Sequence, residues 1–166
     1  MAKGWRFLRP FSFALVRRGG YPIRMLPSAY LLRRAIPEVE DYLRLRRDSG
    51  LTPHSRAAAQ IGLPNSFLSV SVLLDEDMVG MGRVIGDGGL FFQIVDIAVL
   101  PAHQGKGLGK AIMATLMDDL RSRITDRAYV SLIADGQAHE LYTQYGFEPV
   151  APRSIGMAQF LDPARG

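Results

Sequence analysis

The sequence predicts an α/β (α+β) fold: a mixed, mostly antiparallel central sheet flanked by helices, in the order βααβββαβαβ. Three observations predict it. Three extended apolar segments succeed one another between residues 67 and 100, with turn residues between them. A long helical stripe follows at once, with Leu108, Ile112, Leu116 and Leu120 at i, i+4 spacing. The 166 residues, 48% of them hydrophobic, suffice for one core and are too few for two ordinary domains.

The first strand is expected in "AYLLRRA". After Pro37, "EVEDYLRLRRDSG" carries Val39, Tyr42, Leu43 and Leu45 on a helical stripe that stops at Gly50. In "TPHSRAAAQIG", Thr52 sits as an N-cap, Pro53 as the first helical residue and Gly62 as a stop, which predicts a second short helix. "SFLSVSVLL", "MVGMGRVIG" and "LFFQIVDIAVL" then form an antiparallel meander, with Asp87-Gly88 supplying the positive φ of a tight hairpin. A helix near 107–123, a buried strand in "AYVSLIA", a short helix in "GQAHELYTQY" closed by Gly146, and a last strand in "SIGMAQFL" complete the order.

Charge and composition exclude several classes of function. The net charge is +4, yet Lys3, Arg6, Arg9, Arg17, Arg18 and Arg24 supply 6 of the 20 basic residues within the first 24 positions, where there is no acid. The remaining 14 face 16 acidic residues, so nucleic-acid binding is not expected of the body of the chain. Residues 1–24 read as a basic, dispensable extension, since Met25 opens a plausible domain of its own over 25–166. No apolar run reaches the roughly 20 residues of a membrane helix, so no membrane partner is expected. The absence of cysteine excludes disulfides, zinc-thiolate sites and thiol nucleophiles, and leaves the cytoplasm as the default compartment.

The chemistry centres on "HQGKGLGKAIM", where glycines alternate just as a strand hands over to a helix. The spacing fits neither a P-loop, because Ala111 follows Gly109-Lys110, nor a dinucleotide fingerprint, because Lys110 stands where the third glycine belongs. Backbone N–H groups at a helix start attract anions, and missing side chains let a diphosphate reach them. Lys106 and Lys110 add charge. A tight strand-to-helix turn with no ligand remains the alternative.

The stretch "VDIAVLPAHQGKGLGKAIM" resembles motif A of the GNAT superfamily of N-acetyltransferases, [RQ]-x-x-G-x-[GA], with Gln104, Gly107 and Gly109 at its defined positions. "SLIADGQAHELYTQYGF" is similar to the family's later A-x-x-L-Y-x-x-x-G-F segment, through Ala138, Leu141, Tyr142, Gly146 and Phe147. The resemblance spans roughly residues 26–161.

The resemblance implies acetyl-CoA as acetyl donor, with no metal. It places the diphosphate on the N–H groups of Gln104, Gly105, Lys106, Gly107, Leu108, Gly109 and Lys110, and pantetheine along the backbone of Ile97 and Val99. Tyr142 matches the tyrosine that protonates the departing thiolate, whereas Tyr145 reads as packing. Asp135 stands where many relatives carry an asparagine beside pantetheine; it keeps acceptor capacity and loses the amide donors. Gln93 falls where some relatives have a glutamate base, and glutamine cannot take a proton. Asp96 is the substitute candidate, expected on the opposite strand face from Gln93 by the two-residue period, either as base or as structural acceptor. His103 reads as a solvated loop residue near the phosphates. Acceptor choice is expected from Arg47, Asp48, His54, Arg56, Arg83 and Phe92. The acceptor is expected to be a small-molecule amine reached by direct transfer without an acetyl-enzyme. A protein amine, a non-catalytic acyl-CoA-binding module and a homodimer stay open as alternatives.

Overall fold

The computed structural model describes residues 26–162. The expected basic extension, residues 1–24, lies outside the described residues. Five strands and four helices follow one another as β1 (Tyr30–Arg33), α1 (Val39–Asp48), α2 (Arg56–Gly62), β2 (Leu68–Leu74), β3 (Asp77–Gly86), β4 (Phe91–Val99), α3 (Leu108–Arg123), β5 (Tyr129–Leu132) and α4 (His139–Thr143). The strands lie in sequence order in one sheet, antiparallel throughout except for the parallel pair β4–β5. Among the described residues no helix is long and apolar enough to cross a membrane.

Helix α3 covers one face. Its Leu108, Ile112, Leu116 and Leu120 stripe is almost fully buried against Val70, Val72, Val84, Phe92 and Ile94 of the sheet. The approach is close because β3 presents Gly82 beneath the helix, where a Cβ would stand 2.5 Å from Ile112 Cγ2. Helices α1 and α2 cover the opposite face, packing Tyr42, Leu45 and Ala59 on Met78, Met81 and Ala98. Acidic Glu40 and Asp41 in the first turn of α1 and basic Arg46 and Arg47 in its last turn match the helix dipole.

The β3–β4 hairpin turns at Asp87-Gly88 as the sequence predicts. Gly88 takes φ +85°, and the Asp87 carboxylate accepts from the N–H groups of Gly89, Leu90 and Phe91, which holds its pKa below the usual carboxylate range.

Two elements differ from expectation. Helix α2 starts later, capped by Ser55, whose Oγ accepts from Ala58 N–H at 3.1 Å. Thr52 does not serve as its N-cap; its carbonyl is taken by the Arg46 guanidinium, which ties that loop to α1. The last strand is absent from the described residues: after α4 the chain forms no ladder, and Ile155, Met157, Phe160 and Leu161 are exposed. Alternating apolar residues make a strand only when a neighbouring backbone completes the ladder, and no strand among the described residues pairs with this segment.

Candidate active site

The parallel pair β4–β5 is joined only from Phe91↔Tyr129 to Ile94↔Leu132. Strand β5 then ends, while β4 runs on to Val99, so the two separate and open a wedge. Beyond this point Leu100 N–H donates to Val79 O at 2.9 Å across β3. Alternation therefore turns the main-chain groups of Val99, and of Ile97 before it, toward the open side. Gln104 Nε2 donates to Val99 O at 3.0 Å from that side.

The wedge leads into a groove of about 530 Å³ lined by Ile97, Val99, the glycine turn, Lys110 and Tyr142. Gly105 and Gly107 take φ +72° and +84°, and Gly107 is the N-cap of α3. Both positions demand the left-handed region. Gly109 has an ordinary helical φ, and a Cβ there would meet only Leu141, at 3.5 Å. Among the described residues the backbone N–H groups from Gly105 to Lys110 have no protein acceptor; the first helical bond is Ala111 N–H to Gly107 O. Gln104 N–H is excluded from this set because it donates to Pro101 O at 3.2 Å in the preceding 3-10 turn. Leu108 contributes through its backbone alone, since its side chain is buried in the core.

The Lys106 side chain turns onto Tyr30, while His103 lines the groove as a loop residue beside the glycine turn. Lys106 Nζ donates to Ala102 O at 3.0 Å and to Tyr30 Oη at 3.2 Å, while the Tyr30 hydroxyl pairs with His103 Nδ1 at 2.9 Å. A tyrosine from β1 thus braces the glycine turn from behind. Its sequence neighbours carry no motif, and nothing in the local pattern points to it. Lys110 is the lysine that lines the groove.

Where the groove meets the wedge lies a second cavity of about 290 Å³, lined among others by Arg46, Gln93, Asp96, Ile97, Asp135 and Tyr142. Tyr142, in the last turn of α4, borders both spaces and is mostly buried. Burial, reinforced by the nearby Asp135 carboxylate, raises its pKa above the usual 10.0, so it carries its proton at neutral pH. Tyr145 packs instead, donating to Lys110 O at 2.6 Å.

The strand face of Asp96 differs from the one its spacing predicts. Between the pairs Met81↔Ala98 and Arg83↔Val95, β3 has one residue and β4 has two. This bulge takes Asp96 to φ +57° and brings its side chain onto the α1 face. Phe92 and Ile94 face α3, so Gln93 points to the α1 face as well, and both residues line one cavity.

Asp96 Oδ2 accepts from Arg83 Nε at 2.7 Å and Tyr42 Oη at 3.3 Å, and Oδ1 accepts from Arg46 Nη1. The carboxylate is 6% exposed, and the Tyr42 ring lies within 5.7 Å of Arg46 Cζ and 5.4 Å of Arg83 Cζ. The carboxylate thereby ties two guanidiniums and a phenol into one buried cluster.

Of the residues expected to choose the acceptor, Arg83 belongs to this cluster. Arg47 pairs with Asp48 and Arg56 with Glu40, all at the surface, and Phe92 lies in the core against Phe67 on the α3 face. His54 lines a smaller cavity with Tyr42 and Arg83, and desolvation followed by the charge of Arg46 lowers its pKa. Arg46 and Tyr42 were not expected, because on a surface helix they read as ordinary wet-face and core residues.

The family model described as "Acetyltransferase (GNAT) family" matches residues 35–147. The chain belongs to the GNAT acetyltransferase family. It is an acyltransferase enzyme. A crystal structure of a probable acetyltransferase of unknown function from meticillin-resistant Staphylococcus aureus is 45% identical, with a TM-score of 0.76 over 80% of this chain and 99% of that one. An uncharacterized N-acetyltransferase, ycf52, of Gracilaria tenuistipitata var. liui is 27% identical over 72% of this chain and 67% of its own length. A chloroplastic GCN5-related N-acetyltransferase 2 of Arabidopsis thaliana is 38% identical over 45% of this chain and 28% of its own length. GNAT membership therefore does not fix the cytoplasm as this chain's compartment.

Proposed function

We propose that this GNAT enzyme transfers an acetyl group from acetyl-CoA directly to the amine of a small molecule. The observation that carries this reading is the wedge, where the groove of the glycine turn and the cavity beside Asp96 share Ile97, Ala138 and Tyr142. Donor and acceptor can meet there.

The groove fits the donor in shape and chemistry. Six consecutive N–H groups without acceptors among the described residues, from Gly105 to Lys110, match the demand of a diphosphate, and Lys110 adds a charge. The outward main-chain groups of Ile97 and Val99 offer pantetheine a strand edge, and Gln104 must release Val99 O for that pairing. Asp135 borders the cavity as an acceptor for its amide hydrogens. Bound acetyl-CoA supplies the activated acyl group.

The protonated Tyr142 phenol is the acid that quenches the thiolate as it leaves, which its raised pKa permits. The engaged lone pairs of Asp96 suit a group that fixes Arg46 and Arg83 rather than one that takes the amine's proton. A space of about 290 Å³ accommodates an amine of a few heavy atoms and its immediate neighbours.

Calorimetric titration of the protein with acetyl-CoA and CoA tests the first half, and thiol release with an amine panel the second. Saturable binding of both CoA species with amine-dependent thiol release is expected. A folded protein that binds neither species overturns the reading.

A further inference from the structure

The buried cluster on the α1 face does not balance its charge. Two guanidiniums, Arg46 and Arg83, share the single carboxylate of Asp96, and the three side chains are 9%, 10% and 6% exposed. No second carboxylate pairs with either arginine among the described residues. The Tyr42 ring relieves the cations through its face but brings no negative charge. One positive charge is therefore left over in a site where an unpaired ion is costly.

Arg46 is the member of the pair that lines the cavity with Gln93, Asp135 and Tyr142. Its Nε and Nη2 donate to Thr52 O and its Nη1 to Asp96. A guanidinium has five N–H groups, so one remains on each terminal nitrogen. The side chain is held rigidly from two sides, which removes the entropy a free arginine would lose on taking a ligand. In the same cavity Leu51, Ile97 and Ile133 supply an apolar lining between polar groups.

We propose that the acceptor is an amine that carries a carboxylate, an amino-acid-like zwitterion, and that Arg46 is the residue that selects it. The carboxylate accepts the two remaining N–H groups of Arg46 and neutralises the surplus charge of the cluster. Arg83 acts behind Arg46: by drawing on the other oxygen of Asp96 it prevents that carboxylate from satisfying Arg46 fully. The proposal rests on the acetyl-transfer reading and adds the class of acceptor to it.

The test uses CoA-loaded protein and matched pairs of ligands, each an α-amino acid and the amine lacking only its carboxylate. Calorimetry at pH 7.5 reads affinity whether or not turnover occurs, and the preceding titration with CoA alone tells failure of the cofactor site from failure of this proposal. For at least one pair, the acid is expected to bind roughly 10- to 100-fold more tightly than its decarboxylated partner, the range of a charge-assisted hydrogen bond. Arg46→Lys keeps the charge but loses the fork, and the preference is expected to shrink. Since that change also touches Thr52 and Asp96, Gln93→Glu serves as the second variant: it adds a competing carboxylate to the same cavity while leaving Arg46, Arg83 and Asp96 in place. It is expected to weaken the acid selectively. Equal affinity within every pair, binding of neither member, or a preference untouched by both variants in folded protein overturns the proposal.

Discussion

The groove around the glycine turn and the cavity beside Asp96 are neighbours built on opposite principles. The groove is made of backbone: six N–H groups at the start of α3 and the outward groups of two β4 residues. Its side chains mostly leave the site, Leu108 into the core and Lys106 onto Tyr30. The cavity is made of side chains drawn from α1, β4, the segment after β5 and α4, and is backed by a buried ion cluster that reaches β3 through Arg83. A backbone site presents the same donors whatever the neighbouring side chains, which suits a ligand common to many enzymes. A side-chain site changes with single substitutions, which suits a ligand peculiar to one.

The largest expected effect breaks the cavity half of this comparison. Asp96→Ala leaves two buried guanidiniums facing each other without a counter-ion and puts alanine at φ +57°. Breaking a buried pair by removing one partner costs about 3–5 kcal/mol, so the urea midpoint is expected to fall far, while Asp96→Asn, which tolerates the backbone and keeps an acceptor oxygen, loses less. If Asp96→Ala unfolds like the parent, the cluster does not hold the α1 face to the sheet.

Tyr142→Phe acts where the two spaces meet. Removal of a positioned general acid is expected to lower kcat by about 10²- to 10⁴-fold, with acetyl-CoA affinity and thermal stability unchanged. Because burial and Asp135 both push this phenol up, the parent's kcat is expected to show no loss from Tyr142 ionisation near neutral pH, and any alkaline loss is expected to come later than for an ordinary phenol. A steady-state pH profile of both proteins checks this. A Phe variant that turns over at the parental rate removes the phenol from the mechanism.

The glycine turn divides more finely. Gly107→Ala forces a Cβ into the left-handed region at φ +84° and is expected to cost roughly 1–2 kcal/mol, together with much of the CoA affinity. Gly109→Ala has the opposite sign for stability, a gain of up to about 1 kcal/mol, because the residue is helical and its Cβ meets only Leu141. Thermal melts and CoA titration of the two variants separate a turn that needs glycine for its shape from one that needs it for ligand access.

That division also marks how far the sequence could be read. The groove was legible because its information is local: Gln104, Gly107 and Gly109 lie within six residues, and the wedge follows from the run of strands around them. Tyr142 was legible through the segment "HELYTQYGF". The cavity was not. Tyr42, Arg46, Arg83 and Asp96 come from three elements, and each has a bland local explanation. The two-residue strand period even put Asp96 on the wrong face, since a bulge at a non-glycine residue leaves no mark in composition. The final strand misled in the other direction, because "SIGMAQFL" alternates correctly but has no partner among the described strands.

The smallest effect expected concerns His54, at the rim of the cluster, and it tests whether the surplus charge is felt there. Desolvation lowers its pKa below 6.5, Arg46 lowers it further, Asp96 opposes and Arg83 adds to the lowering. Above pH 6.5 the imidazole is neutral in both folded and unfolded chains and stability does not depend on it. As pH falls through 6.5, the unfolded chain takes up the proton first, so the folded state loses stability until the folded pKa is passed. His54→Gln is expected to flatten that loss in urea midpoints measured between pH 7.5 and pH 5. The flattening is small, since His54 is largely exposed, but its sign is diagnostic: a variant that steepens the loss would mean that His54 gains a partner on protonation and that the arginine cluster presents no net positive charge to it.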